Sequence, residues 1–212
     1  MIRTYEEFIE TIDSGVPFAF TRWGDGEWLN IRKSPGSNCD GNLYYHDLGD
    51  ALSEIVETRQ DYILGYQDTK WKLLSDVNKY PDQDWVDADV FHKASMENNL
   101  SPLIETLQNK TVVYIGNKGL SGLPFIDEFI EIPESNVWLN REEVLYNIKR
   151  TIDSNVSKVY CFSAGMATNV FIDRLWKHNR KQTYIDVGSV FDPYVGKITR
   201  TYHKHLNLCN IY

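Results

Sequence analysis

"KVYCFSAGMATNVFIDRLWKHNRKQTYIDV", residues 158–187, decides how this chain folds. It opens with a short run of β-branched and aromatic residues and turns at Gly165. It then carries Val170, Phe171, Arg174, Leu175 and His178 at helical spacing and ends in a second apolar run. Strand, helix and strand in immediate succession are the units from which parallel sheets are built. Three more runs of the same character stand upstream: "VPFAFT" (16–21), "DYILGY" (61–66) and "TVVYIG" (111–116). Helical stretches at 47–59, 97–109 and 141–154 alternate with them, and 166–179 is the helix of the quoted segment. The strand runs are too continuously apolar to leave one face in water, which predicts helices on both sides of the sheet. The expected class is α/β, a largely parallel sheet flanked by helices, in one domain over residues 1–212. The stretch 67–95, whose acids and aromatics follow no single period, is the expected insertion or lid.

With 212 residues, 42% apolar and 25% charged, the chain has the length and the apolar content for a proper core, which excludes disorder. Its formal charge of -8 offers no broad electrostatic grip on nucleic acid or an anionic membrane, so DNA is the less favoured partner. No run approaches the length of a membrane span. The opening "MIRTYEEFIETIDSG" reads as an acidic amphipathic helix and not as a signal peptide, and a cytoplasmic protein is expected. Cys39, Cys161 and Cys209 show neither paired nor metal-type spacing, and Cys161 reads as a small core residue.

In open parallel sheets, ligands gather at the carboxyl ends of the strands. Three such ends carry chemistry: "TRWGDGE" (21–27), "YIGNKGLSG" (114–122) and "CFSAGMATN" (161–169). In the last, Ser163, Ala164 and Gly165 lead straight into a helix, whose free N–H groups and positive dipole end suit a diphosphate; the same residues also make a plain tight turn with a helix cap. No G-x-G-x-x-G follows a strand and no G-x-x-x-x-G-K-[ST] occurs, which counts against an NAD-type oxidoreductase and a P-loop enzyme. Asp25 and Glu27, one glycine apart, repel each other unless a proton or a cation relieves them. A divalent ion that takes one or two carboxylates and completes its shell with water and phosphate oxygens fits that pair; an exposed turn with two solvated acids is the other reading. Asn117 and Lys118 either touch ribose or phosphate or are a loop asparagine and a solvated lysine. His46, His92, His203 and His205 have no assigned role.

"FTRWGDGEW" (20–28) resembles the R-x-G-D-G-E segment of the GT-D type glycosyltransferases. "SAGMATNVFIDRLWKHNRKQTYIDVGSVFDPYVG" (163–196) resembles that family's closing pattern, with D-x-G-x-x-x-D after the last strand, while residues 35–105 match only loosely. The resemblance implies a Rossmann-like α/β fold and metal-dependent transfer of a sugar from a nucleoside diphosphate sugar to an acceptor hydroxyl. A glycan, a polysaccharide or a modified DNA base are the acceptors it allows. It implies that Asp25 and Glu27 hold Mn²⁺ or Mg²⁺. Arg22 and the start of the helix at 166 then assist the departing diphosphate, and Asp192, with Asp186 in reserve, serves as base, although both acids also suit helix capping. One departure stands out: the family often has histidine in D-x-G-H, and this chain has Ser189 there. That departure also admits a non-catalytic module that binds nucleotide or carbohydrate.

Overall fold

Strands form here where both faces of an apolar run are covered. The computed structural model describes residues 2–67 and 75–206. Its strands are β1 (Ala19–Trp23), β2 (Ile63–Tyr66), β3 (Trp85–Asp87), β4 (Val112–Gly116), β5 (Glu128–Glu131), β6 (Val159–Phe162) and β7 (Thr183–Asp186). They make one sheet in the order β3-β2-β1-β7-β6-β4-β5, and every neighbouring pair is parallel. The helices that bear on the site are α1 (Tyr5–Ser14), α2 (Asp25–Ile31), α3 (His46–Glu57), α4 (Val90–Met96), α5 (Ser101–Gln108), α6 (Arg141–Thr151) and α7 (Ala167–His178). The expected α/β class and the flanked parallel sheet are what the chain adopts.

The period-two alternation of side chains splits each central strand between two core layers. Val113 and Ile115 of β4 and Tyr160 and Phe162 of β6 enter one layer, with Trp28, Leu52, Leu145 and Phe171 from α2, α3, α6 and α7. Val112 and Tyr114 of β4 and Val159 and Cys161 of β6 enter the other, with Phe8, Phe91 and Leu103 from α1, α4 and α5. Burying each large apolar side chain contributes about 1.5–3 kcal/mol. Cys161 is a small core residue as expected, and burial pushes its thiol up to about 12.

Several boundaries and two strands differ from the sequence expectation. The edge strands β3 and β5 carry Asp87, Glu128 and Glu131 and are partly exposed, so they lack the continuous apolar signature. The helix expected at 97–109 shortens to Ser101–Gln108, because Asn98 adopts a left-handed conformation at φ 56° and Pro102 suits a helix start. Of the 67–95 stretch, residues 68–74 lie outside the described residues. Further on, that stretch supplies β3 and most of α4, so this part of it belongs to the sheet and its covering layer. Among the described residues no helix is long and apolar enough to cross a membrane.

The largest correction concerns the D-G-E turn. Asp25, Gly26 and Glu27 are the first turn of α2, where residues two apart point to different sides of the helix. Two acids in a first turn favour the helix dipole, and the Glu27 side chain accepts the Gly24 N–H at 2.8 Å, capping the helix from inside. Trp28 anchors the helix, with Trp23 at 5.6 Å and a stacked Tyr80 at 6.0 Å between ring centroids. Aromatic pairs of this kind contribute about 0.5–1.5 kcal/mol each beyond area burial, which offsets the poor helix propensity of the glycines.

Candidate functional site

Because every strand runs the same way, all carboxyl ends lie on one edge of the sheet, and a cleft of about 940 Å³ opens there. It spans the carboxyl ends of β1, β7 and β6, the edge on which ligands gather in open α/β sheets. Arg22, Asp25, Glu27, Asn117, Ser163, Ala164, Gly165, Asp186 and Asp192 all line it. Lys118 does not: it sits in the short 3-10 turn Lys118–Leu120, and Lys197 reaches the cleft in its stead, donating to Asn117 Oδ1 at 2.7 Å.

The two sequence motifs, more than a hundred residues apart, meet at Gly26. A Cβ at this position would stand 2.9 Å from Met166 Sδ, so the first turn of α2 packs directly on the loop that opens α7. Asn30, one turn further along α2, reinforces this by donating to the same sulfur at 3.0 Å. Asp25 is exposed, whereas the Glu27 carboxyl is pushed up to about 7, chiefly by burial and further by the charge of Asp186. Burial likewise pushes Asp186 up to about 6, against the pull of Arg22, whose Nη1 lies 4.0 Å from its Oδ1. Arg22 is itself fixed from β3's far end: its Nε donates to the Ala88 carbonyl at 2.8 Å and its Nη2 to Asp89 Oδ1 at 3.3 Å.

The loop after β6 contributes backbone. Gly165 has φ +60°, a left-handed conformation that favours glycine, and no hydrogen bond within the described residues takes up the N–H groups of Ala164, Gly165 or Met166. Ser163, by contrast, is committed to the protein: its hydroxyl donates to the Gly188 carbonyl and accepts from Tyr114 at 2.7 Å. Asp192 is buried beside the same wall, accepts from the Thr199 hydroxyl, and has its carboxyl raised by burial. Its backbone also starts the 3-10 turn Asp192–Val195, but the cap position is Phe191 and no side chain caps the turn, so Asp192 lines the cleft without the capping role its sequence position also suited.

Whether these residues fit a divalent ion turns on charge. Seven acidic side chains line the cleft against four basic ones, so an anionic diphosphate is repelled unless it brings a cation. Among the described residues no three His, Cys, Asp or Glu side chains cluster to hold a metal unaided. That donor set fits Mg²⁺ or Mn²⁺, which bind through one or two carboxylates and take their remaining ligands from water and phosphate. Asp25, Glu27 and Asp186 line the cleft, and Asp186 lies near enough to Glu27 for its charge to raise the Glu27 carboxyl.

His92, Asp89, Lys197, Arg200 and Tyr202 also line the cleft, and sequence reasoning assigned none of them a role. Asp89 and His92 follow β3, and a reading that found this short strand would have placed them at a carboxyl end. Lys197, Arg200 and Tyr202 arrive from a segment after the last strand, fastened across the cleft where both Arg200 Nη atoms meet the Asp40 carboxylate at 2.6 and 2.9 Å.

No family model and no curated protein matches the chain. Two solved structures match it, each over 100% of this chain and 86% of the other, with a TM-score of 0.67. One, at 17% identity, is the selenomethionine-substituted structure of domain of unknown function 1792. The other, at 16% identity, is described as showing that domain of unknown function 1792 has a distinct glycosyltransferase fold. At such identities the likeness is one of backbone architecture, and it agrees with the fold that the R-x-G-D-G-E and D-x-G resemblance implies. The chain therefore has the α/β fold of domain of unknown function 1792, one described as a distinct glycosyltransferase fold.

Proposed function

We propose that the chain is a glycosyltransferase that moves a sugar from a nucleoside diphosphate donor to an acceptor hydroxyl, with Mn²⁺ or Mg²⁺ held in the cleft. The observation that carries this reading is the packing of Gly26 on Met166, which sets a pair of acids beside an open backbone loop at the carboxyl edge of the sheet. In this reading Asp25 and Glu27 supply the carboxylate oxygens for the ion, and water and phosphate oxygens complete its shell. When bound, the ion neutralises charge on the departing diphosphate. The N–H groups of Ala164, Gly165 and Met166 bind diphosphate oxygens at the positive end of α7. Arg22, oriented by Asp89, adds a fixed positive charge that needs no reorganisation during reaction. Asp192 takes the proton from the acceptor hydroxyl, a role that its raised affinity for protons favours. The acceptor is a glycan, a polysaccharide or another hydroxyl compound; the acid-rich lining makes a polyanion such as DNA the less favoured kind.

The experiment is a screen of nucleoside diphosphate sugars with the purified chain, in Mn²⁺, Mg²⁺ or chelator, reading released nucleoside diphosphate by mass spectrometry. Metal-dependent release from at least one donor is expected. Donors that bind but are never consumed, with any acceptor offered, point to the non-catalytic module. Failure of every nucleoside diphosphate to bind overturns the proposal.

A further inference from the structure

Three polar atoms from three separate elements are buried without a partner on one wall of the cleft: His92 Nδ1 of α4, Ser189 Oγ after β7, and Tyr202 Oη of the 3-10 turn Thr201–His205. His92 and Ser189 are only 8% and 9% exposed, and all three residues line the cleft. They are neighbours. The rings of His92 and Tyr202 meet edge to face with centroids 5.9 Å apart, and His92 Cε1 stands 3.2 Å from where a Cβ on Gly188 would be. The Ser189 hydroxyl lies close enough to the Tyr202 phenol to pull against the burial that raises it, without the geometry of a formed hydrogen bond.

A buried polar atom left unpaired costs about 1–3 kcal/mol, and native interiors pair the great majority of such atoms. Three at one place imply a partner that the chain does not provide. The chemistry of the set identifies it. Burial and the nearby Arg22 guanidinium keep the imidazole neutral, so the ring offers one donor and one acceptor, and the two hydroxyls each donate and accept. A partner that does both is a hydroxyl. The charges around the set, Arg22 and Arg200 against Asp186 and Asp192, oppose one another, so the wall asks for no net charge in its partner.

We propose that His92, Ser189 and Tyr202 form a subsite for a hydroxyl group of a sugar ring, admitted as the Tyr202 side chain turns aside. The assignment rests on the glycosyltransferase reading for its ligand class, and the hydroxyl belongs either to the donor's sugar or to the acceptor. The test follows the imidazole nitrogens of His92 by NMR in the full chain. Free glucose, galactose and N-acetylglucosamine are added first, then UDP, then the UDP-linked sugars with Mn²⁺, to the wild type and to Ser189→Ala. A His92 shift is expected with at least one sugar and not with UDP alone, and Ser189→Ala should weaken that sugar about tenfold. The ligand-free Tm of Ser189→Ala should match or exceed the wild type, because an unpaired buried hydroxyl has been removed. A shift with UDP-linked sugars only assigns the hydroxyl to the donor, and one with free sugar assigns it to the acceptor. Free sugar moving His92 while UDP fails to bind supports the subsite and removes the glycosyltransferase reading. UDP binding while no sugar, free or linked, moves His92 overturns the subsite and leaves that reading intact. Unchanged sugar affinity in Ser189→Ala also overturns the subsite as proposed.

Discussion

The turn after β1 and the turn after β6 both pass from strand to helix through glycine, yet they bring different things to the cleft. The first presents side chains: Asp25 and Glu27 in the opening turn of α2, with Arg22 just behind. The second presents backbone: the N–H groups of Ala164, Gly165 and Met166, while its own Ser163 hydroxyl is engaged inside the protein. A site made of side chains is altered by changing charge at constant shape. A site made of backbone is altered only by changing shape, since no substitution removes an N–H short of proline.

Neutralising the first turn is the strongest way to break the contrast. Glu27→Gln keeps shape and the acceptor for the Gly24 N–H, and turnover of a nucleoside diphosphate sugar should fall by about 10²–10³-fold, the usual loss for removing one preorganised electrostatic group. Steady-state rates in Mn²⁺ check this, and an unchanged rate would take Glu27 out of the site. The same variant has a signature without substrate. Glu27 rises from 4.5 to about 7 and Asp186 from 3.8 to about 6, so the folded state holds protons that the unfolded state releases. The stability linked to these groups is fully present below about pH 4 and is lost as pH rises through their folded values. Denaturant titrations of ligand-free protein should show the wild type losing roughly 3 kcal/mol relative to Glu27→Gln between pH 4 and pH 8.

On the second turn, bulk is the lever. Gly165→Val places a branched side chain at φ +60°, with its Cβ 3.3 Å from Asn42 Nδ2. UDP affinity, read by calorimetry with Mn²⁺ present, should drop about tenfold, because the strained loop withdraws its N–H groups. The smallest effect is expected at Ser163. Ser163→Ala loses two internal hydrogen bonds and should cost about 1 kcal/mol in thermal unfolding, with UDP affinity unchanged. A large affinity loss there would put this hydroxyl on the phosphate and would blur the division between the two turns.

The legibility of the chain follows the same division. The central strands were readable because burial on both faces writes them as unbroken apolar runs, as in "TVVYIG" and "KVYCFS". The edges β3 and β5 were not, since a strand with one neighbour tolerates Asp87 or Glu131 and loses that signature. The helix at Asp25 was hidden by Gly24 and Gly26, and only the aromatic contacts of Trp28 reveal what holds it. Polar residues directly after the readable strands, such as Glu27, Gly165 and Asp186, could be picked out by position along the chain. His92 was lost with the unread strand β3 that precedes it, and Tyr202 could not be found at all, because only the tertiary fold brings the segment after the 3-10 turn Asp192–Val195 to the wall that α4 lines.

The shared direction of the strands also leaves the protein with an unused side. The turns that enter the strands, among them 15–18 before β1, 109–111 before β4 and 179–182 before β7, contribute no residue to the cleft. The segment 153–157, before β6, is exposed throughout. A tether attached there would hold the molecule on a support with its cleft facing solution. Coupling through an introduced thiol would first require replacing Cys209, which lies outside the described residues, and Cys39, an exposed thiol within the cleft that would otherwise capture the linker and turn the molecule face down.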